Sequence, residues 1–598
     1  MIRTMSRMIE KIPSPRELEK EIGDFLARRF GTSVKLVSPV AMPQEQPGPA
    51  PAGDGGLQRV LQFDLTPEAL IAYLDQYIIQ QDLAKAILAT KICTHFNRLR
   101  REHETASQTS RMVGRIKNNV LMIGPTGVGK TYMIRLIARK IGVPFVKADA
   151  TKFSETGYVG GDVEDLVRDL VREANDDIAL AECGIVYIDE IDKIASSPNL
   201  MGADVSRTGV QRALLKPLEE TEVDLKVPHD PVSMMQEIEA FRKTGSRQRR
   251  TVNTRNVLFI VSGAFSGLAE IVKARLHRQQ IGFSAPVQSS VRDADLVSRV
   301  HSEDLIRYGF ESEFVGRLPV RAVFDPLDEK DLFDILKNPN NPVLLSKRLD
   351  FAAYGIDVRF SNDALRFLAE RAAAENTGAR GLVSAVETAL MPFERCLPSM
   401  GIACLAATAE ALQTPEATLA RLRDPSRMPD EVARHRDLQM AEVAAVEAHL
   451  SEHRHRYDQR YGLTLSNGRI GLVATCSTRD ILDLGTAIER VRDLSDEVKQ
   501  LELDFLKRHD INIVLEPEAL DLLVAGLVDG SQTLADLQRR LTADFELALK
   551  LVRDKTGRHR FFISRSALEA PQAYLEGLVR DAMKSSSDGP APDSPPLH

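Results

Sequence analysis

Residues 124–131 carry a pattern suited to binding phosphate. The segment reads GPTGVGKT, fits GxxxxGK[ST], and directly follows the apolar stretch NNVLMI. Glycines let backbone N–H groups close around phosphate oxygens at a helix N-terminus. The lysine of such a loop reaches the β- and γ-phosphates, and the hydroxyl after it ligates Mg²⁺. The pattern predicts an ATP site formed by Gly124, Pro125, Thr126, Gly127, Val128, Gly129, Lys130 and Thr131.

Further along the chain, two acidic residues end an apolar run. The run is GIVYIDE, and its last residues are Asp189 and Glu190. Asp189 can hold Mg²⁺, and Glu190 can orient or deprotonate the attacking water. The two motifs together predict an ATPase in which Lys130, Asp189 and Glu190 are catalytic and Thr131 and Asp189 hold the metal. Ser262, at the end of another apolar run, is a candidate polar sensor.

The hydrophobic patterns predict the elements that position these residues. From Leu65 to about Leu390, short β-branched stretches alternate with helical ones, which predicts a parallel α/β sheet followed by a helical lobe. Compact apolar runs predict strands at 119–123, 184–188 and 256–262, each buried on both faces. The expected fold class is α/β, with a P-loop large domain formed by a parallel sheet and flanking helices, an α-helical small domain and a mostly helical C-terminal extension.

Composition excludes several classes of protein. The chain has 598 residues, a net charge of −7, and 43% hydrophobic and 27% charged residues, which is ordinary globular usage. No apolar stretch is long enough for a membrane span, and the N-terminus lacks an apolar signal core. Five cysteines without a CxxC pair predict neither a disulfide framework nor zinc binding, and they suit the cytoplasm. The net negative charge argues against nucleic acid as a partner.

Changes in composition predict the domain organisation. A capping-box pattern at Ser14-Pro15-Arg16-Glu17 predicts a helix over 14–30, and a Pro/Gly-rich linker follows it. The expected order is an N-terminal helical segment (1–38), a linker (39–61), an ATPase large domain (62–322), a small domain (323–400), a helical insertion (401–495), a second unit resembling the small domain (496–580) and a disordered tail (581–598).

The second unit rests on an internal match. GIDVRFSNDALRFLAERA at 355–372 resembles DINIVLEPEALDLLVAGL at 510–527. The match reflects either a duplication or the common strand–turn–helix pattern, and the sequence leaves both readings open. An ungapped alignment places Ala535 at the position of Arg380, so a duplicated unit would lack that arginine.

Several motifs occur in an order that resembles one known family. They are IGPTGVGKT, GYVG (157–160), GIVYIDEIDKI, DVSRTGVQRALL, VLFIVSGAF, EFVGRLPV and NTGARGL. From about Leu65 to Ser399 the chain is similar to the ClpX/HslU subfamily of AAA+ protein unfoldases. The motif sequences are most similar to those of the ClpX branch, although the segments DATKFSETGYVG and NVLMIGPTGVGKT are more similar to HslU. The resemblance implies a homo-oligomeric ring, expected to be a hexamer, that uses ATP to thread polypeptides through a central pore.

The resemblance also implies roles for residues outside the two nucleotide motifs. Tyr158 and Val159 correspond to the pore loop that grips the polypeptide, and residues 201–209 to a second pore loop. Arg317 matches the arginine finger that reaches the nucleotide of the neighbouring subunit, and Arg380 matches the sensor arginine of the small domain.

The adenine contact and the partner are implied in the same way. Ile78 and Ile79 match the pair that contacts adenine, although family members usually carry Gly where this chain has Gln80. Ile281, Gly282 and Phe283 match the tripeptide that docks into a ClpP-type peptidase, and a buried turn is the alternative. HslU lacks this loop, and the zinc domain that usually begins ClpX is not expected, because no Cys precedes Cys93.

Other functions remain open at this stage. The chain could be a remodelling chaperone that works without a peptidase, or an HslU-like unfoldase with an HslV-type partner. The GYVG motif and the negative charge disfavour a DNA-directed AAA+ motor. A non-enzymatic scaffold is disfavoured because every hydrolytic position is filled.

Overall fold

The computed structural model describes residues 58, 60, 62–105, 117–153, 162–196, 205–225, 251–280 and 293–585. Several predictions fall outside these residues: the helix at 14–30, nearly all of the linker, Tyr158 and Val159, the tripeptide at 281–283, and the end of the predicted tail. Within the described part, no helix is long and apolar enough to cross a lipid bilayer.

A parallel sheet forms the centre of the ATPase domain. The strands are β1 Val120–Ile123, β2 Phe145–Asp149, β3 Ile185–Asp189, β4 Glu222–Asp224, β5 Thr251–Asn253, β6 Leu258–Gly263 and β7 Val320–Val323. Five of them lie in the order β2-β3-β6-β1-β7 and are parallel throughout, while β4 and β5 form a separate antiparallel pair. The three predicted strands overlap β1, β3 and β6. Because the sheet is parallel, the residues that follow these strands meet at one edge.

Helices cover this sheet. They are α1 Pro67–Leu74, α2 Asp82–Thr105, α3 Lys130–Ile141, α4 Asp165–Glu173, α5 Ile178–Ala181, α6 Val205–Leu218, α7 Leu268–Gln280, α8 Asp293–Val297, α9 Ser302–Tyr308 and α10 Ser312–Gly316. Helix α3 buries Met133, Ile134 and Ile137 against the sheet and ends at Gly142 in the left-handed conformation. The α/β class is confirmed.

A helical unit with its own core follows, which we call the first small unit. It contains α11 Glu329–Lys337, α12 Pro342–Ala352, β8 Asp357–Phe360, α13 Asn362–Ala374, α14 Ala379–Met400, β9 Cys404–Ala407, α15 Ala409–Gln413 and α16 Pro415–Leu422. Strand β9 pairs in parallel with β8, and the buried core continues to Leu422. The core of this unit thus extends past residue 400, where the sequence predicted a boundary. Strand β9 was missed because its Cys-Leu-Ala-Ala sequence has little β propensity, and pairing with β8 makes it a strand.

The extension links this unit to another with a separate core. Helices α17 Met428–Glu452 and α18 Arg454–Tyr461 come first. The second small unit then contains α19 Asn467–Asp480, α20 Leu484–His509, β10 Asn512–Leu515, α21 Pro517–Val528, α22 Leu534–Thr556, β11 Arg560–Ile563, α23 Arg565–Glu569 and α24 Pro571–Ser585. Its start at α19 precedes the predicted residue 496. Its last helix reaches Ser585, past residue 581, where the sequence predicted a tail to begin.

Candidate nucleotide-binding site

A cavity of 530 Å³ lies where the ATPase domain meets the first small unit. This volume falls within the range of small-molecule sites. The predicted residues that line it are Ile78, Ile79, Thr126, Gly127, Val128, Gly129, Lys130, Thr131, Asp189, Glu190 and Arg380. The first small unit also contributes Asn338, Asn341 and Val383, which the sequence did not indicate.

The phosphate loop depends on glycine at two positions. Gly127 and Gly129 have φ angles of 79° and 89°, in the left-handed region that other residues rarely adopt. A Cβ atom on Gly127 would lie 2.1 Å from the carbonyl oxygen of Thr377 in the first small unit. The Ala379 N–H donates to the Gly127 carbonyl oxygen at 2.9 Å. The loop and the first small unit are therefore in direct backbone contact.

Lys130 is buried with its ammonium group turned into the loop. Its Nζ donates to the carbonyl oxygens of Gly124 at 2.5 Å and Pro125 at 2.7 Å. Burial lowers the pKa of Lys130 to about 8, against the opposing effect of Asp189 and Asp192. A buried cation held mainly by neutral carbonyl groups lacks charge compensation. The negative oxygens of a bound phosphate would supply it, so the loop fits the nucleotide that its sequence predicts.

The acid at the end of β3 is held by hydrogen bonds. Ser262 Oγ donates to Asp189 Oδ1 at 2.6 Å, and Thr131 Oγ1 lies 3.3 Å from Asp189 Oδ2. Burial alone would raise the pKa of Asp189, but the hydrogen bonds from Ser262 and Lys147 outweigh it and hold the pKa below its ordinary value. The carboxylate and the threonine hydroxyl together present the oxygen ligands that Mg²⁺ prefers.

Two residues of this network were not found from the sequence. Lys147 Nζ lies 3.2 Å from Asp189 Oδ2. Tyr187 is buried, and its hydroxyl lies 2.6 Å from Ser262 Oγ and 3.1 Å from Thr131 Oγ1. Lys147 and Tyr187 are register partners on neighbouring strands. Only the strand order could have indicated their approach, because nothing in the local sequence links β2 to β3.

Glu190 follows Asp189 in an unusual backbone conformation. Its φ is 56°, its side chain is exposed and it lines the cavity. Its N–H donates to Asp189 Oδ1 at 3.1 Å. Left-handed backbone at a residue other than glycine carries a conformational cost and is concentrated at functional sites. The Asp189 carboxylate thus lies beside the hydroxyl of Thr131, the other predicted metal ligand, and the Glu190 carboxylate is exposed to water.

The predicted adenine region has a local peculiarity. Gln80 and Gln81 both have positive φ, at 59° and 65°. Gln81 pairs with the backbone of Asp325 through two hydrogen bonds of 2.8 Å, and this pairing holds the strained turn. The ClpX/HslU proteins usually have Gly at the position of Gln80. Gln80 still has the positive φ that Gly adopts most easily.

The structure does not bring Arg317 to the cavity of its own subunit. Its side chain is 51% exposed, and Nη2 lies 2.6 Å from Glu219 Oε1. Arg380, in contrast, lines the cavity from the first turn of α14. Of the predicted second pore loop, residues 205–209 form the start of α6.

The parallel sheet, the phosphate loop and the paired acids define a P-loop ATPase of the AAA+ class. Residues 115–321 match the model of the AAA domain (Cdc48 subfamily), and residues 327–393 match that of the C-terminal, D2-small domain of ClpB protein. The chain is 42% identical to the ATP-dependent Clp protease ATP-binding subunit ClpX 3 of Methylococcus capsulatus, over 54% of this chain and 74% of that protein.

Two further relatives agree with this match. ClpX of Borrelia duttonii is 40% identical over 56% of this chain and 75% of its own length, and ClpX of Treponema denticola is 39% identical over 54% and 76%. The chain therefore belongs to the ClpX family. It is an ATPase that uses ATP with Mg²⁺.

Proposed function

We propose that this chain is an ATP-dependent protein unfoldase that acts as a ring of identical subunits, most simply a hexamer. The ring threads polypeptides through a central pore and delivers them to a ClpP-type peptidase. The relatives named above are ATP-binding subunits of the Clp protease. Tyr158, Val159 and the tripeptide at 281–283 lie outside the described residues, so the pore and the peptidase contact rest on the sequence.

The placement of two arginines is the observation that carries the proposal. Arg380 lines the cavity of its own subunit, while Arg317 is exposed and pairs with Glu219. If the arginine finger of a P-loop ATPase lies outside the cavity of its own subunit, a neighbouring subunit must supply the positive charge of its own finger in trans. This arrangement supports hydrolysis at subunit interfaces.

Each residue of the cavity then has a chemical task. Lys130 and the loop N–H groups hold the β- and γ-phosphates, and Thr131 and Asp189 hold Mg²⁺. When bound, Mg²⁺ neutralises charge that develops on the phosphate oxygens. Glu190 accepts a proton from the attacking water. Ser262 and Lys147 keep the Asp189 carboxylate ionised and fixed in orientation.

The pore assignment is tested with a tagged folded protein and a ClpP-type peptidase. Tyr158→Ala is expected to abolish ATP-driven degradation while ATP hydrolysis continues. Tyr354→Ala is the matched control, because Tyr354 is a surface tyrosine of the first small unit with 60% exposure. Undiminished degradation by Tyr158→Ala contradicts the pore assignment.

The peptidase assignment is tested separately. Deletion of residues 281–283 is expected to abolish co-elution with the peptidase in gel filtration, while ATP-dependent unfolding of the tagged protein persists. Unchanged co-elution, or unfolding with no peptidase binding by the intact chain, favours a remodelling chaperone. Stimulation of an HslV-type peptidase instead would favour the HslU-like alternative.

A further inference from the structure

A second cleft, of 740 Å³, lies beside the nucleotide cavity where three parts of the molecule meet. Helices α1 and α3 form one wall, α12 of the first small unit forms another, and α18 with the start of α20 forms the third. Tyr77, Tyr132 and Pro342 line both the cleft and the nucleotide cavity. We call it the basic cleft, and the proposed function gives it no task.

Positive charge dominates the basic cleft. Its acidic lining residues are Asp483 and Glu489. Its cationic lining residues are Arg135, Arg139, Lys140, Arg460 and Arg492. Arg135 and Arg139 are exposed one turn apart on α3, and within the described part of the chain no hydrogen bond or ion pair joins either to another side chain. Like charges at this spacing repel each other, and a bound anion would relieve the repulsion.

The floor of the cleft brings two cations onto one aromatic ring. The Arg460 guanidinium lies 4.5 Å from the centroid of the Tyr73 ring, and Lys140 Nζ lies 5.6 Å from it. Arg460 is further held by Tyr461, at 4.8 Å, and by the Gln76 side chain, to which it donates at 2.5 Å. Aromatic faces and an amide hold this guanidinium, and no carboxylate of the described residues forms an ion pair with it.

The groups around these cations suit a phosphate ligand. Burial raises the pKa of Tyr73 and Tyr132 to about 12, so both phenols stay neutral and can donate hydrogen bonds. Burial and the nearby Arg460 lower the pKa of Lys140. A guanidinium binds phosphate oxygens through two parallel N–H bonds, and such charge-assisted bonds are stronger than neutral ones.

We propose that the basic cleft binds a small phosphate-rich anion, either an inorganic polyphosphate or a nucleoside polyphosphate, in addition to the ATP in the nucleotide cavity. The cations that would hold it lie on α3, which begins with Lys130 and Thr131, on α18 and on α20, and α12 adds the hydroxyl of Ser346 to the lining. Because the anion bridges three parts, it opposes any movement of the first small unit relative to the phosphate loop. Its occupancy therefore slows ATP turnover.

The binding test uses the full chain as the Glu190→Gln variant, loaded with Mg²⁺ and ATP and then freed of excess ATP by gel filtration, so that the phosphate loop is filled and free ATP does not compete for the basic cleft. Inorganic tripolyphosphate is titrated in by calorimetry at physiological salt. The expected result is one saturable site, with affinity lowered about tenfold or more by Arg139→Ala or Arg492→Ala. The matched control is Arg490→Ala, an exposed arginine on the same helix outside the cleft, which is expected to change affinity less than about twofold.

Further arms identify the ligand and the site. A nucleoside triphosphate, ATP or GTP, that binds more tightly than tripolyphosphate identifies a nucleoside ligand, and equal or weaker binding identifies the phosphate chain alone. The lysine variants Arg139→Lys and Arg492→Lys keep the charge and are expected to retain part of the affinity. Gel filtration and circular dichroism check that every variant is folded.

Three outcomes would overturn the proposal. They are no saturable binding, an equal loss in Arg490→Ala, or binding of an acidic peptide with no binding of tripolyphosphate. In the wild-type enzyme, tripolyphosphate at excess Mg²⁺ and saturating ATP is expected to lower ATP turnover, and Arg139→Ala should resist this effect. Inhibition that higher ATP concentrations remove would place the anion in the nucleotide cavity instead.

Discussion

The two small units have the same order of elements but differ in what they contact. In each, two helices precede a strand, two helices lead to a second parallel strand, and two helices close the unit. The short helix after the second strand is capped in the same way in both units: Thr408 accepts from the N–H of Ala411, and Ser564 accepts from that of Ala567. A chance strand–turn–helix match would not reproduce eight elements in order, so the comparison favours a duplication.

The difference lies at the start of one long helix. In the first small unit, Gly378 has φ +60°, no side chain caps α14, and Ala379 and Arg380 reach the nucleotide cavity. In the second, Thr533 forms a capping box with Asp536 at the start of α22. A helix end capped by its own side chains needs no external partner. The first unit thus reaches the nucleotide cavity through this helix end, whereas the second unit closes the corresponding helix end with its own side chains.

The units also differ on the outer faces of their sheets. Helix α17 packs against β8 and β9, and its Glu442 bonds to Arg348 at 2.6 Å and to Arg359 at 2.7 Å. On β11 the side chains alternate, with Phe561 buried and Phe562 45% exposed. The first sheet is covered on both sides, while the second keeps an open face.

The largest expected effect tests whether the core of the second small unit stabilises that unit through the buried face of its sheet. Phe561→Ala removes a buried ring and should lower the free energy of unfolding of that unit by about 3–5 kcal/mol. Hydrogen exchange of the β10 and α21 amides measures the loss. Phe562→Ala, on the open face, is the control and should cost less than about 1 kcal/mol. Equal costs would contradict the assignment of the two faces.

The next effect tests which unit senses nucleotide. Arg380→Ala should lower kcat for ATP hydrolysis by about 100-fold, because it removes a positive group from the cavity. Arg539→Ala changes an exposed arginine near the corresponding end of α22 and should alter kcat by less than about twofold. ATP turnover of purified variants measures both. Similar losses would show that both units act on hydrolysis.

A smaller effect tests how α17 is fixed to the first small unit. Glu442→Gln removes one of the two carboxylates that the buried Arg348 and Arg359 share, the other being Asp357, and should lower the free energy of unfolding by about 2 kcal/mol. Thermal denaturation measures the change. Glu569→Gln, which loses an exposed ion pair with Arg565 in the second small unit, should leave the melting temperature unchanged. A melting temperature unaffected by Glu442→Gln would contradict this role.

The smallest effect is a pH dependence confined to the nucleotide cavity. The pKa of Lys130 is lowered from 10.5 to about 8, so the lysine loses its charge as the pH rises above that value. Phosphate binding needs the charged form, so ATP affinity should fall about tenfold for each further pH unit. The unfolded chain holds this proton up to higher pH, so Lys130 itself favours folding as the pH rises.

Fluorescence titration of ATP between pH 7 and 9.5 measures this dependence. In Lys130→Arg the side chain stays charged, and the slope should disappear even if the affinity is weaker. The unfolding transition of the second small unit, measured over the same pH range, checks that a loss of ATP affinity is not caused by unfolding. A slope that persists in Lys130→Arg would assign the titration to another group.

Features formed by residues that are contiguous in the sequence could be predicted, and features that depend on the pairing of distant strands could not. The phosphate loop and the pair Asp189–Glu190 lie within short segments, and the structure places them around one cavity. Lys147 and Tyr187 reach Asp189 and Thr131 only because β2 lies beside β3. Strand β9 shows the same limit, since its alanines adopt a strand only through their partner β8.

The order of strands in the central sheet has a consequence during synthesis of the chain. Strand β1 lies between β6 and β7, although both are made much later, at Leu258–Gly263 and Val320–Val323. A growing chain therefore carries the apolar strand Val120–Ile123 with both edges unpaired until most of the ATPase domain has left the ribosome. Such edges invite aggregation. We expect the nascent chain to depend on a holding chaperone through this interval, whereas the second small unit folds from neighbouring segments soon after it emerges.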